Sequence, residues 1–179
     1  MKETLRQRIG VDVGRRVSRG EAFEWEAQNE VYYFDIQTDI APNALESFDD
    51  SRCSKIREGC EQHGLHLGLH TLSGVNIAEI SPHLREAADA YLRNYIDLSV
   101  KLGAEWIVVH GGYHFTGCQK IRKQASIDRI KRAVEYAGKK KPCFCLKTWM
   151  ANLNWPRFII FPIIWKIPKS ILSKSNHQI

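Results

Sequence analysis

Two short runs, Leu65 to His70 (LHLGLH) and Trp106 to His110 (WIVVH), flank a stretch in which Leu84, Ala88, Tyr91, Tyr95, Leu98 and Leu102 recur at steps of three and four. The runs have the length and composition of strands, and the stretch between them has the period of a helix with one apolar face. Ser81-Pro82 offers an N-cap followed by proline at the first helical position, and Gly103 offers the stop. A strand, a long crossover helix and a second, almost wholly apolar strand predict a right-handed β-α-β unit whose parallel strands are covered on both faces.

The alternation continues in both directions. Arg8 to Val13 (RIGVDV) and Val31 to Gln37 (VYYFDIQ) read as the first two strands. Between them Ser18 and Glu21 form a capping-box pattern ahead of a helix reaching Glu30. Asp49 or Asp50 opens a helix that carries Cys53, Ile56, Cys60 and His63 on one face and closes at Gly64. Beyond Gly111-Gly112, Ile121, Ile127, Ile130, Val134 and Ala137 mark one side of a further helix, with Gly138 at its end. Pro142 to Leu146 then starts a fifth strand. The order β-α-β-α-β-α-β-α-β predicts an α/β fold with a parallel sheet.

Charge divides the chain where this pattern ends. The formal net charge of the 179 residues is +6, but the stretch up to Glu135 holds all 20 acids and 18 bases, a net of −2. Tyr136 to Ile179 holds eight bases and no acid, with four of the six prolines and three of the five tryptophans. The basic total is therefore not a property of the body, which weakens a nucleic-acid reading. The apolar run Phe158 to Trp165 is broken by Pro162 and is too short to span a bilayer. No signal peptide is expected. Five irregularly spaced cysteines are not a disulfide framework, so a reduced, cytoplasmic setting is expected.

The residues with chemistry collect at strand ends. His70 and His110 close two consecutive parallel strands, at the edge where ligands bind in β/α proteins. Neighbouring strands lie about 5 Å apart, so two imidazoles there can converge on one divalent metal or can be separate, locally bonded residues. His114, in the glycine-bounded loop GGYHFTG, is a candidate ligand, substrate contact or acid/base group, or an ordinary loop residue. Asn76 is a candidate substrate contact, set against its frequency in turns. Asp35 and Asp39 are candidate carboxylate ligands, Asp39 equally a turn residue before Pro42. Cys53, Cys60 and His63 read as core positions, and Lys139 to Lys141 as a solvated helix terminus. Gly10 to Gly14 lacks the spacing of a dinucleotide fingerprint.

The segment LHLGLHTLSGVNIAEISPHLREAADAYLRNYIDLSVKLGAEWIVVHGGYHFTG resembles the third and fourth β/α units of the xylose isomerase-like TIM barrels. That superfamily includes sugar and sugar-phosphate isomerases and epimerases and apurinic/apyrimidinic endonucleases. The similarity extends from Arg8 to about Leu146. It implies an incomplete (β/α)8 barrel of about four and a half units over residues 1–146, followed by an irregular, acid-free tail over 147–179. It also implies a divalent metal (Zn, Mn or Mg) held by His70 and His110, a sugar or sugar-phosphate substrate near Asn76 and His114, and no membrane.

The family's remaining ligands begin with a glutamate ending strand five. Here the matching place reads CFCLKTWMANLNW, with Lys147 near the glutamate's position and no acid after it. A full barrel needs typically ~250 residues. The abrupt change of composition is read as a truncated or frameshifted tail, the alternatives being a half-barrel that assembles with another chain and a short variant with its own C-terminal structure. Three functions follow: a metal-dependent sugar isomerase or epimerase, an abasic-site phosphodiesterase of the same barrel type, and a non-catalytic partial domain prone to self-association through exposed sheet edges.

Overall fold

A computed structural model describes residues 10–12, 25, 28–113, 118–140, 145–149 and 164–166. Most of the helix expected up to Glu30, residues 114–117 of the GGYHFTG loop and most of the segment after Trp149 lie outside the described residues.

Six strands form one sheet: β1 (Gly10–Asp12), β2 (Tyr33–Gln37), β3 (His66–His70), β4 (Trp106–His110), β5 (Cys145–Trp149) and β6 (Ile164–Lys166). They lie side by side in chain order. β1 to β5 pair parallel, and β6 returns antiparallel to β5. Among the described residues three α-helices follow β2, β3 and β4: α1 (Asp50–His63), α2 (Pro82–Leu102) and α3 (Gln119–Lys140). Strictly sequential order means that each crossover advances in the same direction, so the helices gather on one face. That is the arc of a β/α barrel, whereas a doubly wound sheet reverses its strand order at a switch point.

Period-two alternation separates the two faces of this arc. Phe34, Ile36, Leu67, Leu69, Ile107 and Val109 point into the core shared with Cys53, Ile56 and Cys60 of α1 and Leu92, Ile96 and Leu102 of α2. Trp106 and Val108 are also buried but stand outside that cluster, on the opposite face with His70 and His110. Double coverage explains why WIVVH carries almost no polar residue.

Helix termini follow local chemistry. Asp49 caps α1, its side chain accepting from the Arg52 N–H, and Gly64 and Gly103 end α1 and α2 at φ 64° and 69°. Ser81 occupies the N-cap position of α2, but its hydroxyl makes no capping bond. Glu79 acts there instead, its Oε1 accepting from the Ile80 and Ser81 N–H groups at 2.8 and 2.9 Å. Those backbone bonds, chiefly that from Ser81, together with Arg122, hold the Glu79 carboxyl below the usual carboxylate range. The folded chain thus releases this proton more readily than the unfolded one. Its stabilisation is present above the ordinary glutamate pKa and is lost as pH falls through the lowered folded value. Glu79→Gln is therefore expected to narrow its stability gap to wild type as urea denaturation is moved from pH 7 to pH 3.

Two expectations about helices are corrected. Gly138 does not end α3, which continues to Lys140. The last turn is held by Ala137 in the core and by Lys140, which pairs with Asp97 at 3.2 Å and lies over the Tyr136 ring. Leu84 and Ile121 do not join the apolar faces: both sit in first turns and are 58% and 60% exposed, and burial on α2 begins at Ala88. The fifth strand expected to start within Pro142 to Leu146 is present as Cys145–Trp149, and Pro142 itself lies outside the described residues. Among the described residues no helix is long and apolar enough to cross a membrane.

Candidate metal and substrate site

His70 and His110 end β3 and β4, and parallel pairing brings both to the same edge and face of the sheet. Their Nε2 atoms are 3.1 Å apart, with the rings stacked at 25° and their centroids 5.2 Å apart. Two nitrogens at this separation can both reach a point about 2.0–2.1 Å from each, the length of a zinc–imidazole bond. Burial, and then the neighbouring His70, push the His110 imidazole pKa down, which favours the neutral form that ligates a metal. In donor chemistry and spacing the pair fits two ligands of a divalent cation. Among the described residues no group of three or more His, Cys, Asp or Glu side chains completes such a site.

The candidate carboxylates have different surroundings. Asp39 is enclosed by two tyrosines of α2: Tyr91 donates to its Oδ1 at 2.8 Å and Tyr95 to its Oδ2. The Tyr95 hydroxyl oxygen also lies 3.2 Å from the His70 carbonyl, and the Tyr91 hydroxyl accepts from the Leu72 N–H at 2.9 Å. Burial drives both phenol pKa values upward. Asp39 therefore joins β2, β3 and α2 into one frame beneath His70. Asp35 lies nearer the imidazoles, with Oδ2 3.9 Å from His70 Nδ1 and Oδ1 accepting from the Trp106 indole.

Asn76 joins two loops. Its Oδ1 accepts from the N–H groups of Ala78 and Tyr113 at 3.1 and 3.0 Å, and its Nδ2 donates to the Tyr113 carbonyl at 3.2 Å. The residue proposed from sequence as a substrate contact thus spends two hydrogen bonds holding the loop after β4 against the loop after β3, and a third on the turn of its own loop. α3 braces the same loops. Ser126 donates to the Gly111 carbonyl at 2.8 Å, and Arg122 reaches the Ala78 carbonyl at 3.3 Å. Arg129, 1% exposed, donates to the carbonyls of Ile77, Glu79 and Arg85 and pairs with Asp89.

His70 and His110 are thus brought together, Asn76 is bonded to Tyr113 in the loop that follows His110, and His114 lies outside the described residues. The Trp106–Asp35 bond and the Arg129 brace were not read from sequence. Gly68, a glycine inside a strand, was the available signal for the first, because such a residue often marks a close approach. A cavity of about 460 Å³ bounded by Glu79, Arg85, Ile121, Asp128, Arg129 and Arg132 lies in the helix layer, and neither histidine lines it.

Comparison with known proteins bears on the fold and family. A family model described as a xylose isomerase-like TIM barrel matches residues 23–152. No curated protein sequence matches significantly. Similar solved structures include the D-psicose 3-epimerase of Clostridium cellulolyticum with D-tagatose, at 14% identity and a TM-score of 0.64, covering 77% of this chain and 51% of that one. A second D-psicose 3-epimerase, solved in the presence of D-fructose, matches at 13% identity and a TM-score of 0.67, covering 82% and 54%. Endonuclease IV from Thermus thermophilus matches at 20% identity and a TM-score of 0.56, covering 77% and 50%. At these identities the likeness is one of fold. The chain spans about half the length of these solved structures.

Proposed function

This chain belongs to the xylose isomerase-like TIM barrel family, and within it we propose that His70 and His110 hold a divalent cation (Zn, Mn or Mg) in a site for a sugar or sugar phosphate. The observation that carries the reading is the 3.1 Å approach of the two Nε2 atoms at the ligand-binding edge of a parallel sheet. The cation, when bound, polarises carbonyl and hydroxyl oxygens of a polyol-like substrate and so favours proton or hydride movement between adjacent carbons.

The chain's own residues supply position. The two imidazoles offer two nitrogen donors, Asp39 with its tyrosines fixes the strand end carrying His70, and Asn76 with Gly112 fixes the loop following His110. Tyr113 and His114 follow directly in that loop, and His114 is proposed as a substrate-side group. No residue is assigned a proton-transfer role. The proposal includes a division into a partial barrel over 1–146 and a basic, acid-free segment over 147–179. A cytoplasmic setting belongs to it as well, on the irregular cysteine spacing.

Calorimetric titration of the full chain with Zn²⁺ or Mn²⁺ tests the site. One bound ion is expected, and its loss in the double variant His70→Ala, His110→Ala; unchanged metal content in that variant overturns the assignment. With the metal-loaded chain, conversion within a panel of ketoses and their phosphates supports the isomerase or epimerase reading. Cleavage of abasic duplex DNA without sugar conversion replaces it by a phosphodiesterase. Neither activity, together with concentration-dependent self-association, replaces it by a non-catalytic partial domain.

A further inference from the structure

Asp35 on β2, Gly68 on β3 and Trp106 on β4 are neighbours in one lateral row across the sheet. The Trp106 indole crosses over Gly68, and its Nε1–H donates to Asp35 Oδ1. A Cβ at position 68 would overlap both the indole nitrogen and that carboxylate oxygen, so the bond exists because the residue between is glycine. The indole is 8% exposed, and it stands beside Tyr33, whose ring stacks on His66 with centroids 4.7 Å apart. The Asp35 carboxylate is thereby held from one side by a packed, uncharged donor. Its other oxygen, Oδ2, lies 3.9 Å from His70 Nδ1, within ion-pair range but longer than a hydrogen bond, and His70 Nε2 lies 3.1 Å from His110 Nε2.

We propose that Asp35, fixed by Trp106 across Gly68, is a positioning residue that holds His70 with its proton on Nδ1 and its Nε2 lone pair turned toward His110 and the cation. This rests on the metal reading given above. A ring nitrogen beside a carboxylate keeps its proton, because the N–H dipole points at negative charge and the opposite tautomer would set two lone-pair-bearing atoms against each other. An imidazole oriented in this way is also a more basic ligand, and loss of such a partner typically costs 10–100-fold in metal affinity. In the metal-free chain the same tautomer makes His110 the donor across the 3.1 Å contact, with His70 Nε2 accepting.

The test separates tautomer from metal. Long-range ¹H–¹⁵N spectra of the metal-free full chain labelled at histidine are expected to show His70 protonated on Nδ1, and Asp35→Asn to move it toward the Nε2-protonated form. Zn²⁺ affinity, measured against a competing chelator, is expected to fall about 10–100-fold in Asp35→Asn, with partial recovery in Asp35→Glu. A purely structural role would lower thermal stability without changing the tautomer of the folded protein. Should Asp35→Asn fail to fold by circular dichroism, Trp106→Phe, which keeps an aromatic ring but removes the N–H, is expected to shift the same tautomer balance to a smaller degree. Wild-type His70 protonated on Nε2, or an unchanged tautomer in the folded variants, overturns the proposal. If the tautomer responds as stated but wild type binds no Zn²⁺, the metal reading fails while the positioning of His70 by Asp35 stands.

Discussion

Replacing Arg129 with methionine is expected to lower the stability of the protein by about 3–5 kcal/mol, the range for breaking a buried charged pair by removing one partner. The guanidinium is 1% exposed and binds Asp89 through Nε at 2.8 Å. Its other nitrogens donate to the carbonyls of Ile77, Glu79 and Arg85, all in the loop after β3 or the first turn of α2. Methionine fills much of the volume but leaves these three acceptors without their donor, and each buried unsatisfied group carries a cost of its own. Asp89 is partly protected, because Arg132 also reaches it at 2.9 Å, so the loss falls mainly on the carbonyls. Urea denaturation measures the effect. Arg132→Met serves as the comparison: its side chain is 50% exposed, and a cost of about 1 kcal/mol or less is expected there. Equal losses in the two variants would show that water replaces the Arg129 donors and that the brace is not structural.

Gly112→Ala is expected to act on both stability and the His70–His110 pair, and through it on the proposed metal site. Gly112 has φ 88°, a region costly for any residue with a Cβ. A Cβ there would lie 2.6 Å from Ala78 Cβ and 2.7 Å from both the Ala78 nitrogen and Asn76 Oδ1. Neither the Ala78 backbone nor an Asn76 already bonded to it can give way easily. The strain alone is about 1–3 kcal/mol, and overpacking adds a comparable amount. Relief requires the segment after His110 to move off the loop after β3, breaking the Asn76–Tyr113 bonds three residues beyond that histidine. The expected result is a lower midpoint in denaturant and, in the folded fraction, weaker Zn²⁺ binding than wild type. A variant with unchanged stability and affinity would show that the two loops are free to separate.

The elements of the sheet and helix layers were legible because each rests on a local signal. Gly64 and Gly103 end their helices in the left-handed conformation that their position in the pattern predicts. His70 and His110 could be placed at strand ends by counting apolar residues alone. Where the local signal was ambiguous, the structure chose otherwise. Gly138 remains helical because Ala137 and Lys140 make contacts on either side of it, and Ser81 leaves capping to Glu79. Leu84 and Ile121 continue a period of three and four yet lie in first turns on the surface, which periodicity cannot distinguish from core.

By itself the sequence determined the succession of strands and helices, the placement of two histidines at one edge of the sheet and the likeness to a barrel family. All of these follow from periods of two and 3.6 and from residues whose backbone preferences act within a few positions. Tertiary structure decided which pairs became contacts: two imidazoles 3.1 Å apart from residues forty positions separated, Trp106 reaching Asp35 over a glycine, and Arg129 binding carbonyls some fifty residues earlier in the chain. Such contacts depend on strand register and helix packing, where a shift of one residue turns every side chain to the other face. Sequence spacing carries no record of that register, and the chemistry of the site depends on it.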